Sequence, residues 1–301
     1  MPTRPLHLRL AWTFGDFAKR VWDNSGEDNI FFLAGGIAFN LLLAAVPFVL
    51  LLVAGLGYLL GETSGDAVRI VALILDRLLP PGVTPGEGTI EAALVGIVAN
   101  RGQVGLYSAI VFVWLSTRLF GSLRSVLAEV FDIESERGIV AGKLFDAKVT
   151  VLGTILFAGY TVVNTYIEIA RSRGFAVLGA LGLRQDVMGW LQYTTGRVLA
   201  FAFIVLLFYA LYKVLPNRRV RWQTAGMAAL FAGGLFEIAR SVFTIYVVRF
   251  NPGSVYTGTL TAFVVFVVWV YYAAMLFILG GEVAQVYELR RIRRYQREVL
   301  E

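Results

Sequence analysis

Two apolar runs, Val198–Tyr212 and Trp222–Val248, are joined by nine residues, three of which are arginines: Arg218, Arg219 and Arg221. An apolar run of about 20 residues matches the hydrocarbon thickness of a bilayer, and arginines gathered at its end mark the side facing the cytoplasm. The chain therefore reads as an all-α, polytopic membrane protein whose orientation is legible. Composition agrees. Of 301 residues, 57% are hydrophobic and 16% charged, where soluble domains carry about 25% charge. The surplus apolar surface has to face lipid.

Six segments read as spans, the fourth of them short, near Ile30–Leu60, Val104–Leu123, Val149–Ala170, Val198–Tyr212, Trp222–Val248 and Thr257–Leu289. Six spans put both termini on one side of the membrane. The joints on that side (1–29, 124–148, 213–221 and 290–301) hold 17 Lys and Arg, against 8 in the opposite joints, whose total length is almost the same. The excess assigns both termini to the cytoplasm. The expected organisation is an N-terminal amphipathic segment over 1–29, a six-helix membrane domain over 30–289 and a basic tail over 290–301. The expected location is a bacterial inner membrane.

Two further helices are expected outside the spans. Leu10, Phe14, Phe17 and Val21 recur at helical spacing while Arg9, Thr13, Asp16 and Arg20 take another face. Such a helix lies on a membrane surface or packs on the protein's own cytoplasmic face. On the opposite side, Asp66–Leu79 reads as a short interfacial helix stopped by Pro80 and Pro81.

The same inventory narrows the chemistry. There is no cysteine and a single histidine, His7, which removes disulfides, thiolate catalysis and the usual zinc or iron ligand sets. No phosphate loop or nucleophile elbow is present. Neither an enzyme nor a cofactor is expected. The net charge of +6 is accounted for by basic span ends that meet anionic lipid headgroups, so nucleic acid is not an expected partner. A homo-oligomer is compatible with the reading.

Polar residues inside the spans are the candidate site. In the fifth span Ala225, Ala229, Gly233, Glu237 and Ser241 repeat every fourth residue, and Arg240 follows Glu237 by one turn. Ionisable groups at membrane depth need partners or water. The pair reads either as a gate or as an ion pair that fixes packing. Tyr160, Asn164 and Glu168 share a face of the third span, and Gly36, Asn40 and Ala44 share one in the first, followed by the kink residue Pro47. The joint Asn217, Arg218, Arg219 and Arg221 is the basic cytoplasmic loop. Arg118 is expected to snorkel to the surface, and Glu282 to anchor the tail arginines.

Four stretches carry a resemblance. They are Leu33–Asn40 running to Pro47–Phe48, Trp114–Ala128, Tyr212–Ala225 continuing into Phe236–Arg240, and Trp269–Tyr272 extending to Gly280–Gly281–Glu282. Together they resemble the YihY/BrkB family of bacterial inner-membrane proteins. The resemblance implies six spans with cytoplasmic termini. That family has carried a ribonuclease label and a virulence-factor label, and transport or export roles have been proposed for it. The ribonuclease label finds no ligand set here. The functional expectation is a transporter, exporter or lipid-handling permease for a small-molecule or lipid substrate. Its alternative is a non-transporting scaffold that supports envelope assembly.

Overall fold

The computed structural model describes residues 6–59, 100–133, 138, 140–155, 185–250 and 259–300, and these form seven helices and no strand. They are α1 (Leu6–Glu27), α2 (Ile30–Leu59), α3 (Arg101–Val130), α4 (140–155), α5 (Gln185–Val214), α6 (Trp222–Phe250) and α7 (Thr259–Leu300). Among the described residues, α2, α3, α5, α6 and α7 each contain a stretch long and apolar enough to cross a membrane. The expected third span is described only to residue 155, where α4 is already helical from 140. Tyr160, Asn164 and Glu168 lie outside the described residues, as does the expected interfacial helix over 66–79.

Helix ends differ from the apolar runs that announced them. α5 begins at Gln185 rather than Val198, α3 runs on to Val130, and α7 continues through the expected tail to Leu300. Hydropathy marks the part of a helix that matches lipid, whereas the hydrogen-bonded ladder propagates through any residue with adequate helix propensity.

α7 is the hub. It packs against α2 and α3 on one side, α6 on another and α1 near its C-terminal half, while α2 pairs with α3 and α5 with α6. Small residues set these approaches. A Cβ on Gly105 would meet Ala54 at 3.3 Å, bringing α3 onto α2, and one on Gly233 would come within 2.7 Å of Val205 Cγ2, closing α6 on α5. The Ala225, Ala229 and Gly233 stripe is thus buried packing surface.

Aromatic rings then tie α7 to the α5–α6 hairpin. Tyr212 stacks on Phe277 at 5.3 Å, Phe236 meets Trp269 edge-on at 5.1 Å, and Phe208 lies 6.2 Å from Phe236. The fully buried Tyr212 donates its hydroxyl to the Phe277 carbonyl at 2.7 Å. This is why residue 280 is glycine: a side chain there would overlap that hydroxyl and approach Ala232 Cβ to 2.8 Å. Gly281 faces the other way, toward Leu127 Cδ2 and Val130 Cγ1 on α3, each 3.2 Å from an added Cβ.

α1 lies on the protein itself. Asn24 donates to Gln285 Oε1 at 3.2 Å, and the Arg290 guanidinium sits 5.0 Å above the Phe17 ring. The short turn into α2 places Asn29 at φ 48, a left-handed conformation that asparagine adopts more readily than most residues.

Candidate functional site

Two clusters of charge occupy opposite ends of the α6–α7 region. The first is built on α5 and α6, which the Leu215–Arg221 joint folds back antiparallel. Glu237 lies 15 residues into α6, about 22 Å along its axis from Trp222 at roughly 1.5 Å per residue. That position lies inside the Trp222–Val247 stretch, which is long and apolar enough to cross a membrane. Glu237 Oε2 stands 3.9 Å from Arg240 Nη1 one turn on, and its Oε1 accepts from Arg197 Nε at 3.0 Å. The side chains of Arg197, Glu237 and Arg240 are 51%, 21% and 24% exposed, so the cluster is open along one flank. Just beyond it, Ser241 and Thr244 return their hydroxyls to the Glu237 and Arg240 carbonyls at 2.9 and 2.8 Å.

Sequence spacing brought Glu237 to Arg240. It did not bring Arg197, which directly precedes the fourth apolar run. The signal was present in the register of the hairpin: 197 and 237 are symmetric about residue 217 of the joint.

The second cluster sits at the basic end, where α1, the end of α3 and α7 meet. Glu282 is fully buried there, and neither of its carboxylate oxygens has a hydrogen-bond partner. Its charged neighbours are Asp28, in the α1–α2 turn, and Asp132, just past α3. Two amides lie close by: Asn24 donates one N–H to Gln285 Oε1, and Gln285 donates one N–H to Asp132 Oδ2 at 2.7 Å. Asp132 adopts φ 49 at the end of α3, with its own amide on Glu129 O and that of Ile133 on Ala128 O. That is a Schellman termination with aspartate where glycine is usual. Glu282 does not anchor the tail: Arg290 turns to Phe17, and Arg291 donates to Gln223 Oε1 at 3.3 Å. Helical rotation explains the difference, because eight residues beyond Glu282 the side chains already look at other elements.

The basic joint divides its residues. Arg219 and Arg221 are exposed, while Arg218 folds inward, pairs with Glu288 of α7 at 3.2 Å and lies 4.6 Å over the Phe131 ring. The Lys213 ammonium donates to the Val220 carbonyl across the joint, and Leu215 and Pro216 are buried beneath it. Asn217 is half-buried. A third ionic contact joins α3 to α4, with Arg124 Nη2 3.3 Å from the nearly buried Asp146. Spacing gave no hint of it, because the partners belong to different helices.

The remaining expected residues are satisfied locally. Asn40 donates to the Gly36 carbonyl of its own helix at 2.9 Å. Pro47 is buried inside α2, where it leaves the Leu43 carbonyl without its usual helical donor. Arg118 is exposed. Among the described residues no group of His, Cys, Asp and Glu is arranged to hold a metal ion.

Comparison with known proteins fits this architecture. A "UPF0761 membrane protein" of Pseudoalteromonas atlantica is 26% identical over 278 residues, covering 91% of this chain and 86% of that protein. A relative of the same name from Aeromonas salmonicida is 27% identical over 270 residues, covering 89% and 87% of the two chains. No solved structure matches. The family described as "Virulence factor BrkB" matches residues 21–299. Coverage of that extent takes in both charge clusters and every span, and the chain belongs to the BrkB family.

Proposed function

We propose that this membrane protein is a transporter, exporter or lipid-handling permease, with the basic end on the cytoplasmic side of a bacterial inner membrane. The six-span topology read from the sequence belongs to this proposal. The observation that carries the reading is Glu237 held between Arg197 and Arg240 at membrane depth. A charge at the centre of a membrane helix costs roughly 2.5–3.5 kcal/mol on insertion scales, and ionisable groups kept there line substrate and ion pathways.

The unequal distances suit a gate. Arg197 comes from α5 and holds Glu237 at 3.0 Å, while Arg240 belongs to Glu237's own helix and stands 3.9 Å away. When α5 withdraws, Glu237 keeps Arg240 as its counter-ion. The hairpin opens without stranding a carboxylate in lipid, and a polar passenger or lipid headgroup meets the guanidiniums on the open flank. With no nucleotide-binding motif in the chain, the passenger's own gradient, an ion gradient or a partner supplies the driving force.

The second reading, a non-transporting scaffold, is favoured by one set of contacts. Asn40, Thr117, Ser241 and Thr244 all satisfy themselves on carbonyls of their own helices, and so require no passenger. A comparison of lipids and metabolites on the two sides of the membrane separates the readings. Cells with the wild-type chain, without it, and with Glu237→Gln are compared. Transport predicts a species displaced across the membrane in the deletion and restored by the wild type but not by the variant. Identical distributions in all three support the scaffold.

A further inference from the structure

The gate leaves Glu282 unused, and its setting is unlike that of any other carboxylate in the described residues. The side chain is 0% exposed and both oxygens lack hydrogen-bond partners. An ionised carboxylate in that state is strongly disfavoured, because burial removes its hydration and nothing replaces it. Charge compensation has few sources. The groups facing Glu282 are Asn24 and Asp28 from α1 and its turn, Asp132 from the end of α3, and Gln285 on α7 itself.

Two of those are carboxylates, which repel a third negative charge. The two amides are neutral, each placing one N–H on Gln285 Oε1 or Asp132 Oδ2, and supply no compensating charge. Arg218, the inward arginine of the joint, is held by Glu288 and the Phe131 ring. Asp23, Glu27 and Glu129 are exposed. The described carboxylates are not arranged as a metal site. A proton is the compensating cation that remains, and carboxyl groups crowded together share protons rather than ionise together.

We propose that Glu282 is a proton-binding residue where the α1–α2 turn meets α7, with Asp28 as its neighbouring acceptor. The protonated carboxyl donates its O–H to Asp28. Half-buried Asp28 and exposed Asp132 give the proton a route to water at the basic end. Loss of the proton sets like charges against each other and loosens α1 from α7. This inference is independent of transport.

The sign of the pH dependence follows. A bound proton contributes stability only while it is held. The stability it contributes is therefore present at low pH and lost as pH rises through the range where the folded protein releases it. Release of one proton lowers Tm by about 2 °C per pH unit over that range in a protein of this size. The test is thermal unfolding of the purified full chain in detergent from acid to alkaline pH. It is run in sodium and, at equal ionic strength, in N-methylglucamine.

Glu282→Gln keeps the shape of the protonated group and is expected to abolish that slope, while Asp28→Asn is expected to shrink the total drop. Infrared difference spectra between acid and alkaline samples should show a protonated-carboxyl C=O band in the wild type that Glu282→Gln removes. If Glu282→Gln does not fold, the wild-type band and Asp28→Asn decide the matter. Equal slopes in wild type and Glu282→Gln, no carboxyl band, or a wild type stabilised at alkaline pH by sodium alone would each overturn the proposal.

Discussion

At the basic end, Glu282 is wholly buried and meets carboxylates and amides, whereas at the far end Glu237 stands between two guanidiniums with 21% of its side chain exposed. The basic end is sealed by close packing: glycines at 280 and 281, a buried tyrosine at 212 and the proline joint leave little room for rearrangement. The far end is held together by ion pairs that can exchange. Close packing makes one element rigid and specific. In the proposed gate, exchange of partners lets α5 leave α6 while Glu237 keeps Arg240. One end of the bundle is then the anchor, and the proposal places the movement at the other.

The anchor gives the largest expected effect. Gly280→Ala places a methyl group against the Tyr212 hydroxyl and Ala232, disturbs the hydrogen bond to Phe277, and should cost roughly 2–4 kcal/mol in thermal or denaturant unfolding of the detergent-solubilised chain. Combining it with Tyr212→Phe removes the main obstacle. The double variant should lose clearly less than the sum of the two single losses. Strict additivity would mean the seam is looser than its distances imply.

Gly281→Ala sharpens the same contrast with the smallest effect. Its methyl group meets Leu127 and Val130 at 3.2 Å, and the Leu127 end group can give by a few tenths of an ångström. Replacing a helical glycine by alanine gains about 1 kcal/mol of propensity, which offsets the crowding and leaves a net change of less than about 1 kcal/mol. A loss as large as that of Gly280→Ala would show that both faces of α7 are equally locked.

How far the sequence disclosed this arrangement depended on the range of each interaction. The spans were legible because lipid demands long apolar runs. Glu237 and Arg240 were legible because they lie one turn apart on one helix. Arg197 escaped because hydropathy starts its span only at Val198, although α5 begins at Gln185. Glu282 was read as a tail anchor because arginines follow it closely in the sequence. Its actual surroundings come from α1 and α3, more than 140 residues away, and no local pattern encodes them. Arg218 looked like a loop charge among others until its partner Glu288 placed it inside.

The central claim is that Glu237 is the shared counter-ion of two helices, and double-mutant cycles in lipid nanodiscs test it most directly. Unfolding is measured for Glu237→Gln, Arg197→Gln, Arg240→Gln and the two doubles containing Glu237→Gln. The account predicts that Glu237→Gln costs more than either arginine change. It also predicts coupling of roughly 1–3 kcal/mol between Glu237 and Arg197, with a smaller but measurable coupling to Arg240. Losses that add to within about 0.5 kcal/mol in both cycles would contradict it and remove the gate with it.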